Sequence, residues 1–167
     1  MTEQQRRLFF VTMFGLVFYL VGASFVQSFV TYPTWKAVGA SEFQAYYGEL
    51  SSRIVRTMVV PGVVEIVLTL ALLRFRPRAI PAWPIAAALV LNIVRFVSTA
   101  INQGAVQAQL GAGGLSADAV DALIRGDYLT QAASLGRMLL YVWMMARVIH
   151  EPPRESSVPA REKIGTA

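Results

Sequence analysis

The chain has 167 residues with a formal net charge of +5, and 55% of its residues are apolar while only 15% are charged. With a mean hydropathy of +0.50, this composition excludes an ordinary soluble domain and places the chain in a bilayer. The absence of cysteine excludes disulfides and thiolate chemistry. The basic residues are spread over several membrane-flanking segments, so we expect no nucleic-acid partner.

Four segments are long and apolar enough to cross a hydrocarbon core of about 30 Å. They lie at about residues 8–31, 54–73, 81–101 and 128–149. The sequence therefore predicts an all-α, polytopic membrane protein, in which residues 1–150 form an antiparallel bundle of four transmembrane helices with short extracytoplasmic interfacial helices. The polar, proline-bearing residues 151–167 are predicted to be a disordered cytoplasmic tail.

The first span follows Arg6 and Arg7, so a cleaved secretory signal is an alternative to a retained anchor. Its apolar run continues to Val30, well past the 7–15 or so residues of a signal, and this favours the anchor. One face is predicted to pack closely against a neighbouring helix, with the hydroxyl of Tyr19 buried. That face consists of Thr12, Gly15, Tyr19 and Gly22.

The connection between spans one and two is predicted to begin a helix at about Glu42 that continues into span two. Ser41 and Gln44 have the spacing of a capping box at its start. Tyr46 and Tyr47 have an apolar body and a polar edge, which predicts anchoring at the membrane interface. An aromatic lid over an outward-facing pocket is the alternative.

Span two contains an acidic residue, Glu65, on the same face as Met58, Pro61 and Thr69. Pro61 removes a backbone donor one turn outside Glu65 and predicts a kink. Arg56 points away from this face and is close enough to the outer surface to snorkel. Glu65 is the candidate catalytic acid or base, because an ionisable group in hydrocarbon is usually paired and often functional.

Span three aligns Asn92, Arg95, Thr99 and Gln103 on one face. In the connection that follows, from Asn102 to Asp127, we predict a short amphipathic helix that is capped by Ser116 and ends at Gly126.

Span four has a broad polar face, made of Thr130, Gln131, Ser134, Arg137 and Tyr141. At a rise of 1.5 Å per residue, Glu65, Arg137 and Asn92 lie about 14–16 Å below the outer ends of their spans. They are therefore expected to share a level near the middle of the membrane, with Arg95 one turn nearer the outside. Glu65 is predicted to lie within salt-bridge distance of Arg137 or Arg95.

One carboxylate can neutralise only one of the two intramembrane arginines, so the sequence predicts an excess positive charge in the polar layer. Neighbouring side chains, backbone carbonyls or water would satisfy it in a purely structural core. The alternative is a cationic, outward-opening pocket for an anionic or carbonyl-bearing ligand, such as a lipid headgroup, a quinone or a phenol. The candidate ligand-binding residues are Tyr19, Asn92, Arg95, Thr99, Gln131, Ser134, Arg137 and Tyr141.

Charge asymmetry predicts the orientation in a cell (inner) membrane. One side would carry nine basic residues, Arg6, Arg7, Arg74, Arg76, Arg78, Arg147, Arg154, Arg161 and Lys163. The other side would carry three, Lys36, Arg53 and Arg125. Because basic residues accumulate on the cytoplasmic side, both termini are expected in the cytoplasm.

Several short motifs resemble those of a known group. They are Tyr32-Pro33-Thr34-Trp35 after span one, Pro61 and Glu65 in span two, Ser98-Thr99 in span three and Arg137 in span four. Over about residues 8–149 the chain resembles a group of bacterial four-span membrane proteins that is distantly similar to the anthrone-oxygenase-like domain of unknown function. That group tends to carry histidine in its outer connections, where this chain has Tyr46-Tyr47 and Val106-Gln107. The resemblance implies the four-span architecture more firmly than an activity.

Two function classes remain, and we expect no cofactor and no metal in either. A binding or structural membrane protein would use the polar core for a lipid, a quinone, a small phenolic ligand or a partner's transmembrane helix. A cofactor-free enzyme would use Glu65 as acid or base, with Arg95 or Arg137 stabilising an enolate or phenolate. A transporter is a third reading, which the missing inverted repeat disfavours unless a homo-oligomer supplies a second half. We favour the binding protein.

Overall fold

The computed structural model describes residues 1–150, and all regular secondary structure in that range is helical. Four long helices are apolar enough to cross a membrane: α1 (Glu3–Ala37), α2 (Phe43–Phe75), α3 (Ala82–Gly113) and α4 (Ala117–Ile149). The predicted all-α class with four candidate spans is confirmed. The tail predicted at 151–167 lies outside the described residues.

The helices are longer than the predicted spans, with 32 to 35 residues each. At 1.5 Å per residue they reach about 50 Å, whereas a hydrocarbon core is about 30 Å thick. The extra length lies mainly in the connections from α1 to α2 and from α3 to α4, where the chain stays helical because these segments pack against one another. Tyr32, Trp35 and Phe43 share a buried apolar cluster there with Leu110 and Leu123.

Three of the helices change their winding at one internal turn. The regular helices Glu3–Val26, Phe43–Ile54 and Ala82–Ser98 are followed by the π-helical turns Gln27–Thr31, Val55–Val59 and Thr99–Gln103. Beyond those turns the chain continues as Tyr32–Thr34 and Trp35–Ala37 in α1, Val60–Phe75 in α2 and Gly104–Gly113 in α3. α4 consists of Ala117–Gly126 and Tyr128–Ile149, joined at Asp127. π-Helical turns are rare and occur often at functional sites.

The closest backbone packing is between neighbours in the bundle: α1 and α3 each pack along their length against α2 and α4. One half of the helix bundle has an apolar core that includes Phe10, Met13, Val17, Leu72 and Met144. The opposite half has the aromatic cluster around Trp35. The polar residues of the candidate site lie between these two apolar regions.

The predicted packing face of α1 is wrong. Tyr19 is 49% exposed, and a Cβ atom at Gly15 or Gly22 would meet nothing within 4 Å. The buried face instead includes Phe10, Met13 and Val17. These larger side chains bury more surface and make more van der Waals contacts than a small-residue stripe, so they determine which face packs.

The two predicted helix starts have different outcomes. Ser116 caps α4 as expected, since its side chain accepts a hydrogen bond from the Ala119 N–H. The capping box of Ser41 and Gln44 does not form, because the Gln44 amide reaches α3 instead. It donates to the carbonyl of Gly111 and accepts from the N–H of Gly114, each at 2.8 Å. Gln44 thus ties α2 to the end of α3.

Candidate functional site

The centre of the site is an ion pair between α2 and α4. Arg137 Nη1 lies 3.0 Å from Glu65 Oε2, and the exposed fractions of the two residues are 1% and 0%. The predicted salt bridge of Glu65 is therefore confirmed, with Arg137 as its partner. Burial of both residues leaves each charge dependent on the other, because a buried ion is costly unless it is paired.

Ser134 and Thr69, two neighbouring polar residues of this layer, donate their hydroxyls to backbone carbonyls of their own helices. Ser134 donates its hydroxyl to the Thr130 carbonyl at 2.8 Å, and Thr69 donates to the Glu65 carbonyl at 2.8 Å. Several buried polar atoms make no hydrogen bond within residues 1–150: Glu65 Oε1, Asn92 Nδ2, Arg137 Nε and the Tyr141 hydroxyl. The layer therefore has spare hydrogen-bonding capacity around a fixed ion pair.

Arg95 is placed differently from Arg137. Its Nε and Nη2 atoms donate to Asn92 Oδ1 at 3.3 and 3.2 Å, and its guanidinium lies 4.5 Å from the Phe96 ring centroid. Gly62 makes room for this arrangement, since a Cβ atom there would lie 3.1 Å from Phe96 Cζ, the ring on which Arg95 stacks. No carboxylate within residues 1–150 forms an ion pair with Arg95. Most of its five N–H donors are therefore free to bind another group.

Asp127 is the main charged residue that sequence reasoning missed. It is buried, and it accepts hydrogen bonds from Ser28, Gln103 and Gln131, the last at 2.7 Å. Asp127 forms no ion pair with Arg95, although both residues line the same cavity. Within the layer itself the predicted excess positive charge is present, because Glu65 pairs with Arg137 and Arg95 forms no ion pair within residues 1–150. Asp127 adds a carboxylate outside that layer, at the wall of the cavity. The missed signal was position: Asp127 precedes the polar face of span four by one helical turn.

The hydrogen bonds around Asp127 join three helices. Gln131 Nε2, which has two N–H donors, also lies 2.9 Å from Ser24 Oγ and 2.6 Å from Ser28 Oγ, both on α1. On α3, Gln103 accepts from the Tyr32 hydroxyl at 3.3 Å. The network fixes the separation of α1, α3 and α4 next to a space between the helices.

That space is a cavity of about 210 Å³ between the halves of the helices that carry the π-helical turns. All three turns contribute to its wall, through residues such as Ser28, Met58 and Thr99. A π-helical turn holds one more residue than an α-helical turn, which widens the helix at that point. Arg95 and Asp127 both line the cavity. It therefore combines two opposite charges with an apolar wall that includes Ile54, Val55, Val59 and Phe96.

The predicted site residues fall into four groups. Arg95 and Thr99 line the cavity, and Asn92 holds Arg95 from below. Gln131 belongs to the network of Asp127. The fully buried layer contains Glu65, Ser134, Arg137 and Tyr141, none of which is among the residues that line the cavity. Tyr19 lies outside the site.

Tyr47 lies at the cavity and its neighbour Tyr46 does not. The Tyr47 hydroxyl donates to the Gln107 carbonyl at 3.1 Å, and the Tyr47 ring packs edge-on against Trp35 with the centroids 5.5 Å apart. Tyr46 is exposed. Tyr47 therefore has the position expected of an aromatic residue at a pocket. Tyr46 has the exposure expected of an anchor at the membrane interface.

Tyr19 has a role on the outer face of the helices. Its hydroxyl donates to the Thr57 carbonyl at 2.9 Å. In an α-helix that carbonyl would bond the N–H of residue 61, which is proline and has none. Tyr19 therefore supplies a donor to a carbonyl that cannot receive the N–H of residue 61, at the exposed surface of the helices.

We expect Tyr19→Phe to lower the free energy of unfolding by about 1–2 kcal/mol, because it removes the side-chain donor of the Thr57 carbonyl. Tyr128→Phe is the matched control, since Tyr128 is exposed and makes no hydrogen bond within the described part of the chain. Thermal unfolding in detergent, followed by circular dichroism, measures both. Equal melting temperatures for the two variants would contradict this role of Tyr19.

Comparison with protein-family models, curated proteins and solved structures finds no match to this chain.

Proposed function

We propose that the chain is a multi-pass protein of the cell (inner) membrane, an antiparallel four-helix bundle with both termini in the cytoplasm. Its cavity then opens toward the outside and binds a small amphipathic molecule through an anionic or carbonyl oxygen. The bias of nine basic residues against three supports this orientation. The four apolar helices support the membrane location.

The proposed ligand chemistry rests on one observation: most N–H donors of Arg95 make no hydrogen bond within residues 1–150. Its guanidinium faces the cavity, and within residues 1–150 it hydrogen-bonds only to Asn92 Oδ1 and lies over the Phe96 ring. Arg137, in contrast, is committed to Glu65. A guanidinium with free N–H groups in a partly apolar space binds an oxyanion or a carbonyl more strongly than it would in water.

The cavity volume limits the size of the group that enters. At about 210 Å³, it lies below the roughly 300–1,000 Å³ of sites that enclose a whole drug-sized molecule. A single ring or a headgroup fits, with the rest of an amphipathic molecule extending toward lipid. Quinone rings and small phenols therefore remain the favoured ligand classes, together with lipid headgroups.

The packed apolar core at the other end of the molecule favours a binding function over conduction of a solute across the membrane. Below the Glu65–Arg137 layer the interior is filled by apolar side chains, among them Met13, Leu72, Ile85 and Met144. A continuous polar path would require displacing this packed core. We therefore propose a binding protein that is open on one side.

The test measures binding of decyl-ubiquinone and 1-naphthol to the purified chain by quenching of Trp35 fluorescence, because Trp35 lines the cavity. We expect Arg95→Gln to weaken binding of at least one probe about tenfold or more, which corresponds to the loss of a hydrogen bond from a charged donor. Arg56→Gln is the matched control, since Arg56 is exposed and forms no ion pair within residues 1–150. Equal binding by both variants would reject the proposal.

The enzymatic alternative has a separate outcome in the same experiment. Catalysis by Glu65 requires a substrate atom to reach a side chain that is fully buried and paired with Arg137. Conversion of a phenolic or anthrone-type substrate by the purified chain, lost in Glu65→Gln, would replace the binding function with that one.

A further inference from the structure

A second pocket lies at the opposite end of the molecule from the cavity, between the start of α1 and the connection from α2 to α3. It encloses about 390 Å³. Its lining residues are Arg6, Arg74, Arg76, Pro77, Arg78, Ile80 and Pro81. Four of these seven residues are arginines, which distinguishes this pocket from the mixed lining of the outer cavity.

Two of the arginines are held in place by backbone carbonyls. Arg6 Nη1 donates to the Arg76 carbonyl at 3.3 Å, and Arg76 Nη1 donates to the Leu73 carbonyl at 2.7 Å. Each contact uses one of five N–H donors and fixes the direction of the guanidinium. Most of the donors around this pocket therefore remain available for a ligand.

The pocket has an excess of positive charge. Glu3 is shared between two other arginines: it accepts from the Arg78 backbone N–H at 3.1 Å, and its carboxylate lies 4.0 Å from Arg78 Nε and 3.8 Å from Arg7 Nε. Arg6, Arg74 and Arg76 form no ion pair with any residue of the range 1–150. Three like charges around one pocket repel one another, so a bound anion would stabilise them.

We propose that this pocket binds a phosphate group, carried either by an anionic lipid headgroup or by a free phosphorylated solute. Guanidinium groups bind phosphate oxygens in a bidentate way, and three of them suit a group with several oxygens better than a single carboxylate. The buried Pro77 and Ile80 provide an apolar floor beneath the charges. Basic pockets next to helix ends on the cytoplasmic side are known lipid-headgroup sites. This site is independent of Arg95 and of the outer cavity.

The experiment uses the full chain purified in a neutral detergent and analysed by native mass spectrometry with added lipid. Phosphatidylglycerol is the anionic probe and phosphatidylcholine is its zwitterionic counterpart, while inorganic phosphate is added as a competitor. We expect one phosphatidylglycerol per chain to be retained about tenfold more strongly than phosphatidylcholine. In the double variant Arg6→Gln/Arg76→Gln that retention falls about tenfold or more.

The matched control is Arg56→Gln/Arg125→Gln, which removes the same charge from two exposed arginines outside this pocket. Arg74→Gln is the second variant in case the double variant unfolds, because the Arg74 guanidinium makes no hydrogen bond to described residues. That guanidinium lies 6.0 Å from the centroid of the Phe75 ring. Displacement of the lipid by millimolar inorganic phosphate identifies a free phosphate as the ligand, and resistance to it identifies the lipid. Equal retention by Arg74→Gln and the control would overturn the site.

Discussion

Replacing Glu65 with leucine is expected to lower the free energy of unfolding by about 3–5 kcal/mol, because Arg137 then remains as a buried charge without a partner. Glu49→Leu is the matched control. The Glu49–Arg53 pair is shorter, at 2.7 Å against 3.0 Å, but it is exposed. Exposed pairs one helical turn apart contribute only about 0.3–0.5 kcal/mol. Burial, and not distance, is therefore expected to decide the difference, which unfolding by sodium dodecyl sulfate titration measures.

The double variant Glu65→Leu/Arg137→Leu separates the cost of an unpaired buried charge from the contribution of the intact ion pair. A buried ion pair that is replaced by apolar side chains often leaves stability unchanged or raises it. We therefore expect the double variant to regain most of the stability that Glu65→Leu loses. A loss in Glu65→Leu no larger than in Glu49→Leu would contradict the buried pairing.

The Glu65–Arg137 pair could be predicted from the sequence because depth and angle along a helix are nearly fixed by residue number. A constant rise put both residues at one level, and the angular positions put them on polar faces. Their opposite charges then left few alternatives in an apolar surrounding. The same reasoning found the face of Asn92 and Arg95 and the amphipathic helix capped by Ser116.

The face of α1 could not be predicted in this way. The helix is apolar on nearly all sides, so the positions of a few small and hydroxyl-bearing residues were the main angular signal. Tyr19 and Thr12 use their hydroxyls on carbonyls at the exposed surface, those of Thr57 and Leu8. The face that packs was chosen by large side chains such as Phe10 and Met13, whose contacts depend on the shapes of other helices.

The cavity was also beyond prediction in detail, because it depends on three π-helical turns. Each of them adds one residue to a turn and rotates everything beyond it by roughly 100° relative to a regular helix. Angular positions counted from the middle of a span therefore lose accuracy past residues such as Gln27 and Thr99. Asp127 escaped notice for a related reason: it was assigned to a connection that the extended helices enclose.

We expect Asp127→Ala to lower the free energy of unfolding by roughly 2–4 kcal/mol, because it leaves the donors of Ser28, Gln103 and Gln131 buried without an acceptor. These donors come from three different helices, so their separation next to Arg95 should change as well. Binding of decyl-ubiquinone or 1-naphthol should weaken together with stability. Asp127→Asn keeps one acceptor oxygen and is expected to lose less of both.

Asp118→Ala is the control for this variant, since Asp118 is an exposed acidic residue in the first turn of α4. It loses only a favourable interaction with the helix dipole, which contributes about 0.3–1 kcal/mol. Urea or dodecyl sulfate unfolding and the Trp35 quenching assay measure both variants. If Asp127→Ala matched Asp118→Ala in stability and bound the probes like the unmodified chain, Asp127 would be neither the junction of the three helices nor part of the binding cavity.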